Sequence, residues 1–171
     1  MNTDVKKLNA VTAVVLGASG RGKLYGDYSL EHPEDLLIVG IAEPVPLRRE
    51  MYGDKYHVPV ENRLATWEEM LARPKFADAV IIATPDHLHY APCMKALELG
   101  YDILLEKPIA QTEEECRKLV DYARQTGKIV GLTHVLRYSP YFLMLKEMVE
   151  SKKIGDLVSI QHFEPVDHVH M

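Results

Sequence analysis

Cysteine is scarce. The 171-residue chain has two, Cys93 and Cys116, with no CxxC spacing and no histidines at ligand spacing, which excludes a disulfide framework and a cysteine-based zinc site. Thiols without partners suit a reducing, cytoplasmic setting. Glycine and proline, at 10 each, are too few for a disordered or collagen-like chain. An excess of positive charge is also missing: 20 Lys+Arg stand against 25 Asp+Glu, for a net charge of -5. The electrostatic footprint of a nucleic-acid binder is therefore absent, and no nucleic-acid partner is expected. No apolar run approaches the ~18 residues of a membrane span. Lys6-Lys7 followed by Ala10–Leu16 superficially resembles a leader, but its apolar part runs straight into Gly17-Ala18-Ser19-Gly20-Arg21-Gly22, which reads as a buried strand and its turn. No membrane partner is expected.

Nearly half of the residues are hydrophobic, 47%, and 26% are charged, as in an ordinary globular protein. Short runs rich in Val and Ile recur at Thr12–Gly17, Leu36–Ala42, Ala79–Ala83, Asp102–Leu105 and Lys128–Leu132, with helical patterns in most of the intervals. Continuous rather than alternating apolar runs indicate strands covered on both faces. The fold class expected is α/β, a doubly wound parallel sheet. Thr66-Trp67-Glu68-Glu69 and Thr112-Glu113-Glu114-Glu115 fit capping boxes, and Gly100 and Gly127 stand where helices over about 90–99 and 113–126 should stop. After Leu132 the rhythm changes to an amphipathic helix over 140–151 and an alternating strand over 157–164. A half-apolar strand with nothing to pair with would be an exposed edge. The expectation is therefore a truncated polypeptide: a first domain over 1–134, then a connecting helix and first strand of an incomplete α+β domain over 135–171.

Four polar clusters fall at the carboxyl ends of predicted strands, the edge where open parallel sheets bind ligands. Gly17, Ser19, Gly20, Arg21 and Gly22 form a variant of the G-x-G-x-x-G turn with Ser19 in the second glycine's place. Its glycines permit a tight turn and close helix packing, and its amide groups attract a pyrophosphate. Glu43 ends the second apolar run, 21 residues after Gly22, close to the interval of about 20 expected of a ribose-binding acid. Its carboxylate would accept from both adenosine ribose hydroxyls and repel a 2′-phosphate, favouring NAD over NADP, although Arg48 and Arg49 nearby could tolerate the phosphate. Thr84, Pro85 and Asp86 follow the third run, with His87 and His89 beyond them. Glu106-Lys107-Pro108 follows the fourth, and is expected to hold an ammonium group in a semi-buried cleft where its charge is little screened. No metal is expected. Asp86, His87 and His89 lack a fourth ligand, and His162, Asp167, His168 and His170 read better as a polar strand and tail.

Taken in order, Gly17–Gly22, Glu43 after Val39-Gly40-Ile41-Ala42, Thr84-Pro85-Asp86 with His89, and Glu106-Lys107-Pro108 resemble the dinucleotide-binding half of the Gfo/Idh/MocA oxidoreductases, relatives of glucose-fructose oxidoreductase and inositol dehydrogenase. The likeness covers about residues 10–137, and Gly131–Tyr138 resembles the crossing into the second domain. It implies a Rossmann fold, NAD(P) in the crevice, and Lys107 near the nicotinamide and the substrate, with Glu106 orienting it. Thr84, Pro85, Asp86, His89 and Glu106 would join the glycine turn and Glu43 in holding the cofactor. His134 and Arg137 would line the substrate side with Lys107. The implied activity is hydride transfer involving a sugar, polyol or related hydroxy compound, with the main base supplied beyond Met171. A homo-oligomer through the second domain is also implied. Two other functions fit the same residues: a glycosidase using bound NAD for transient oxidation, and a dinucleotide-binding regulator without chemistry.

Overall fold

A computed structural model describes residues 10–165. Six strands form one all-parallel sheet, β1 (Val11–Leu16), β2 (Leu36–Ala42), β3 (Arg63–Leu64), β4 (Ala79–Ile82), β5 (Asp102–Leu105) and β6 (Val130–Leu132), in the spatial order β3-β2-β1-β4-β5-β6. The strand order reverses between β1 and β4, which leaves a crevice at their carboxyl ends. Helices α1 (Gly20–Glu31), α2 (Pro46–Lys55), α3 (Trp67–Leu71), α4 (Tyr90–Glu98) and α5 (Glu113–Thr126) connect the strands.

Alternation along each strand builds two cores. Val14 and Leu16 of β1 join Val80, Ile82, Ile103, Leu105 and the α3–α5 side chains on one face. Ala13 and Val15 join Ile38, Ile41, Ile81, Tyr52 and Tyr56 on the other. Successive side chains of a strand point to opposite faces, so apolar residues at every position mean that both faces are covered, as the continuous runs predict. Residues 10–133 make up this compact unit, and a second begins at His134. The second unit contains a short 3-10 turn, Val135–Tyr138, and helix α6 (Pro140–Glu150).

Several local expectations are realised. Thr66 accepts from the Glu69 amide while the Glu69 carboxylate accepts from the Thr66 amide, a complete capping box. At Thr112 only half of the box forms. The Glu115 amide donates to the Thr112 hydroxyl, but the Glu115 carboxylate meets that same hydroxyl instead of the backbone. Gly127 ends α5 at φ 64°, a left-handed conformation that glycine adopts without strain.

Three features depart from the sequence reading. Strand β3 has no apolar run to announce it. Pro44-Val45-Pro46, whose two prolines read in sequence as a turn, is instead the approach to α2, with Pro46 in the first helical position, where its missing N–H costs nothing. The strand expected over 157–164 is not formed: the described residues after Asp156 are irregular and exposed. Alternation stabilises a strand only when a neighbouring backbone supplies ladder bonds, and no described segment does so here.

Candidate functional site

At the end of β1 the chain turns at Gly17, φ 97°, where a Cβ would lie 2.5 Å from the Ala83 carbonyl oxygen. At Gly22 a Cβ would lie 1.9 Å from the Gly17 carbonyl oxygen, so α1 packs on the turn only because that position is glycine. Gly20 is the contrast: a Cβ there would meet nothing within 4 Å. Ser19 precedes α1 without capping it. Its hydroxyl and the first amides of the helix therefore remain available to an anion.

Glu43 is 4% exposed. Its Oε2 accepts from the Ala18 amide at 2.8 Å and its Oε1 from the Val45 amide at 3.1 Å, tying the end of β2 to the glycine turn. Each carboxylate oxygen has two acceptor directions, so one remains on each. Arg49 donates to the Glu43 carbonyl at 2.9 Å. Thr84 donates from Oγ1 to the Leu88 carbonyl at 2.9 Å, closing the short turn Asp86–Leu88 that carries Asp86 and His87 on its exposed side.

The family resemblance puts His89 against a cofactor, but its ring is fully buried. Nδ1 lies 2.6 Å from the Pro108 carbonyl and Nε2 3.0 Å from the Thr84 carbonyl. The ring is a strut between the loops after β4 and β5, and His89 also lines the cavity that those loops border.

The expected semi-buried lysine and its Glu106 partnership also need correction. Lys107 is exposed, on a loop at the open carboxyl edge of the sheet, next to a cis Lys107-Pro108 bond. Glu106 is 5% exposed and engages α1 instead, through Tyr25, whose hydroxyl donates to Oε1, and through Arg21, whose Nε lies 3.7 Å from the same oxygen. Burial, and then the bond to Glu106, push the Tyr25 phenol up to about 12. Sequence reading missed Tyr25, although its place four residues after Arg21 sets both on one helix face.

These groups converge. A cavity of about 340 Å³ is lined by Ser19, Gly20, Arg21, Thr84, Pro85, Asp86, Glu106 and Lys107, among others. A second of about 360 Å³ is lined by Gly17, Ser19, Glu43, Arg48, Trp67 and Thr84, among others. They share Ser19, Ala83, Thr84 and Pro85, which form the partition between them at the switch point. A larger cavity of about 460 Å³ lies between α5 and β6 and is mostly apolar, lined by Leu105, Leu119, Val130 and Leu132 among others. It contains none of the predicted site residues. His134 and Arg137 are exposed residues of the second unit, and Asp167, His168 and His170 lie outside the described residues.

Residues 11–134 match the sequence profile of an oxidoreductase family with an NAD-binding Rossmann fold, GFO_IDH_MocA. The chain belongs to the Gfo/Idh/MocA family. Among curated relatives, 1,5-anhydro-D-fructose reductase of Ensifer adhaerens is 31% identical over 99 residues, which are 58% of this chain and 29% of that protein. Among solved structures, the WlbA dehydrogenase of Chromobacterium violaceum in complex with NADH and UDP-GlcNAcA superposes with a TM-score of 0.77 at 21% identity, over 86% of this chain and 42% of that one. Biliverdin reductase of Synechocystis, in complex with biliverdin and NADP+, superposes with a TM-score of 0.75 at 23% identity, over 85% and 44%. At these identities the structural likeness concerns the fold. The chain spans less than half the length of the relatives it matches.

The family assignment makes the first unit the NAD(P)-binding Rossmann domain characteristic of this oxidoreductase family. The residues present fit a dinucleotide. Gly20 leaves the helix start open, Ser19 and Arg21 can meet phosphate oxygens, and polar groups line cavities on both sides of the partition.

Proposed function

We propose that the chain is the cofactor-binding part of an oxidoreductase that moves a hydride between a nicotinamide and a CH–OH carbon of a sugar, polyol or related hydroxy compound. One observation carries this reading: Ser19, Glu43, Thr84, Glu106 and Lys107, from four strand ends, line two cavities with a common wall. NAD supplies the hydride acceptor when bound; the chain binds and orients it. Amides at the start of α1, with Ser19 and Arg21, hold the diphosphate. Glu43 and the cavity beside Arg48 and Trp67 hold the adenosine, and the carboxylate prefers a free 2′-hydroxyl, which makes NAD the cofactor ahead of NADP.

Glu106 and the exposed Lys107 face the reacting half. The Lys107 ammonium there favours loss of a substrate hydroxyl's proton, while the main base and most substrate contacts come from outside this unit. His134 and Arg137 are assigned to the substrate side. We assign 1–134 to the cofactor and 135–171 to the approach to a substrate domain that also forms the homo-oligomer contact; the match over 11–134 supports the first part. Free Cys93 and Cys116 support a reducing, cytoplasmic setting.

Thermal denaturation of the 171-residue chain with each cofactor tests the reading. NAD should raise the midpoint more than NADP, and equal shifts would defeat the Glu43 assignment.

A further inference from the structure

Glu106 is unusual in how its two oxygens are used. Both protein contacts, from the Tyr25 hydroxyl and from Arg21 Nε, fall on Oε1. Among the described residues no buried side-chain oxygen or nitrogen lacks a partner. Oε2, bonded by no described residue, therefore keeps access to solvent, and Glu106 lines the 340 Å³ cavity. A carboxylate held at one oxygen and open at the other is an aimed acceptor.

We propose that Tyr25 is a positioning residue: its hydroxyl anchors one oxygen of Glu106 so that the other is presented to the nicotinamide-side half of a bound dinucleotide. This rests on the reading in which the cleft binds NAD. Tyr25 reaches Glu106 from α1, 81 positions away in sequence, so the bond also ties the helix that meets the diphosphate to the loop that carries Lys107. Arg21 cannot do this alone, because its side chain is 46% exposed and its contact is 3.7 Å, too long for a hydrogen bond. The phenol, pushed up to about 12, remains a donor across the physiological range. Ring and hydroxyl have separate duties: the ring packs against the core on one face of the sheet, and the hydroxyl reaches the carboxylate.

Calorimetric titration of the chain with NADH and with ADP separates positioning from mere packing. ADP has the adenosine and diphosphate but nothing on the nicotinamide side. Tyr25→Phe should weaken NADH binding about tenfold, the loss expected for one charge-assisted bond, and leave ADP binding unchanged. Tyr28→Phe, which removes an exposed hydroxyl bonded to Asp35 on the same helix, should change neither. Glu106→Ala removes the acceptor of that bond and must give the same split, which keeps the test alive if Tyr25→Phe does not fold. NADH affinity unchanged in the variants, or equal losses for NADH and ADP, would overturn the role of Tyr25 and leave the functional reading standing. A wild-type chain that binds neither ligand would overturn both.

Discussion

The two buried carboxylates of the cleft are each held by protein partners before any ligand arrives. Glu43 is tied to the Ala18 and Val45 amides, and Glu106 to Tyr25 and Arg21. Glu43→Ala should therefore have two effects. Stability falls by about 1–3 kcal/mol, because buried amides lose their acceptor, and the preference for NAD over NADP narrows because the charge that repels a 2′-phosphate is gone. Denaturant titrations with and without each cofactor measure both; an unchanged preference would remove Glu43 from cofactor selection. Lys107 is the reverse case, an exposed cation with no ion pair among the described residues. In a full-length protein with the proposed activity, Lys107→Ala should lower turnover at least about a hundredfold with little change in cofactor affinity. Near-normal steady-state rates would take it out of the chemistry. The difference between these acids and this lysine was not legible in sequence, where neighbours such as Glu106 and Lys107 look like partners. At a strand exit adjacent side chains diverge, and the partners come from α1, far away in the chain.

Among the elements, the glycine turn gives the sharpest contrast. Gly22→Ala would drive a methyl into the Gly17 carbonyl, 1.9 Å away, whereas Gly20→Ala meets nothing within 4 Å. The first should cost about 3 kcal/mol or more and the second should stay within about 0.5 kcal/mol of wild type in urea unfolding; similar values for both would show that the turn does not pack as described. At the start of β1, the Thr12 amide and hydroxyl both donate to Asp78 Oδ2, at 2.8 and 2.6 Å. The hydroxyl bond and then the amide bond hold the Asp78 carboxyl below the ordinary 3.8. With the folded value below the unfolded one, this contribution is complete above about pH 4 and fades as pH falls through the lower folded value. Asp78→Asn should flatten that part of the acid limb of stability against pH, measured by thermal midpoints, and an unchanged limb would contradict the assignment. Thr66→Ala, opening the complete capping box, should cost about 1 kcal/mol. The elements were readable wherever physics writes locally. Apolar runs located β1, β2, β4, β5 and β6, and cap residues located the start of α3 and both ends of α5. Strand β3, two residues paired with Ile41 and Ala42, has no run to read, and the alternation over 157–164 was misleading because a strand needs a partner that no local pattern supplies.

For the molecule, the doubly wound order explains why clusters scattered over about half of the chain meet. All six strands point the same way, so every strand exit lies on one edge, and reversal between β1 and β4 opens that edge at the glycine turn. This convergence was legible from sequence once the strands were parallel. The division of the cleft by Ala83, Thr84 and Pro85 was not, because it depends on how close β1 and β4 bring two loops, nor was the burial of His89 beneath them. The most direct measurement is an amide NMR titration of the chain with NADH. The expected result is saturable binding, with the shifts concentrated at Ser19, Gly20, Gly22, Glu43, Thr84 and Lys107. No saturable binding, or shifts concentrated in the apolar cavity between α5 and β6, would contradict a dinucleotide site at the strand exits.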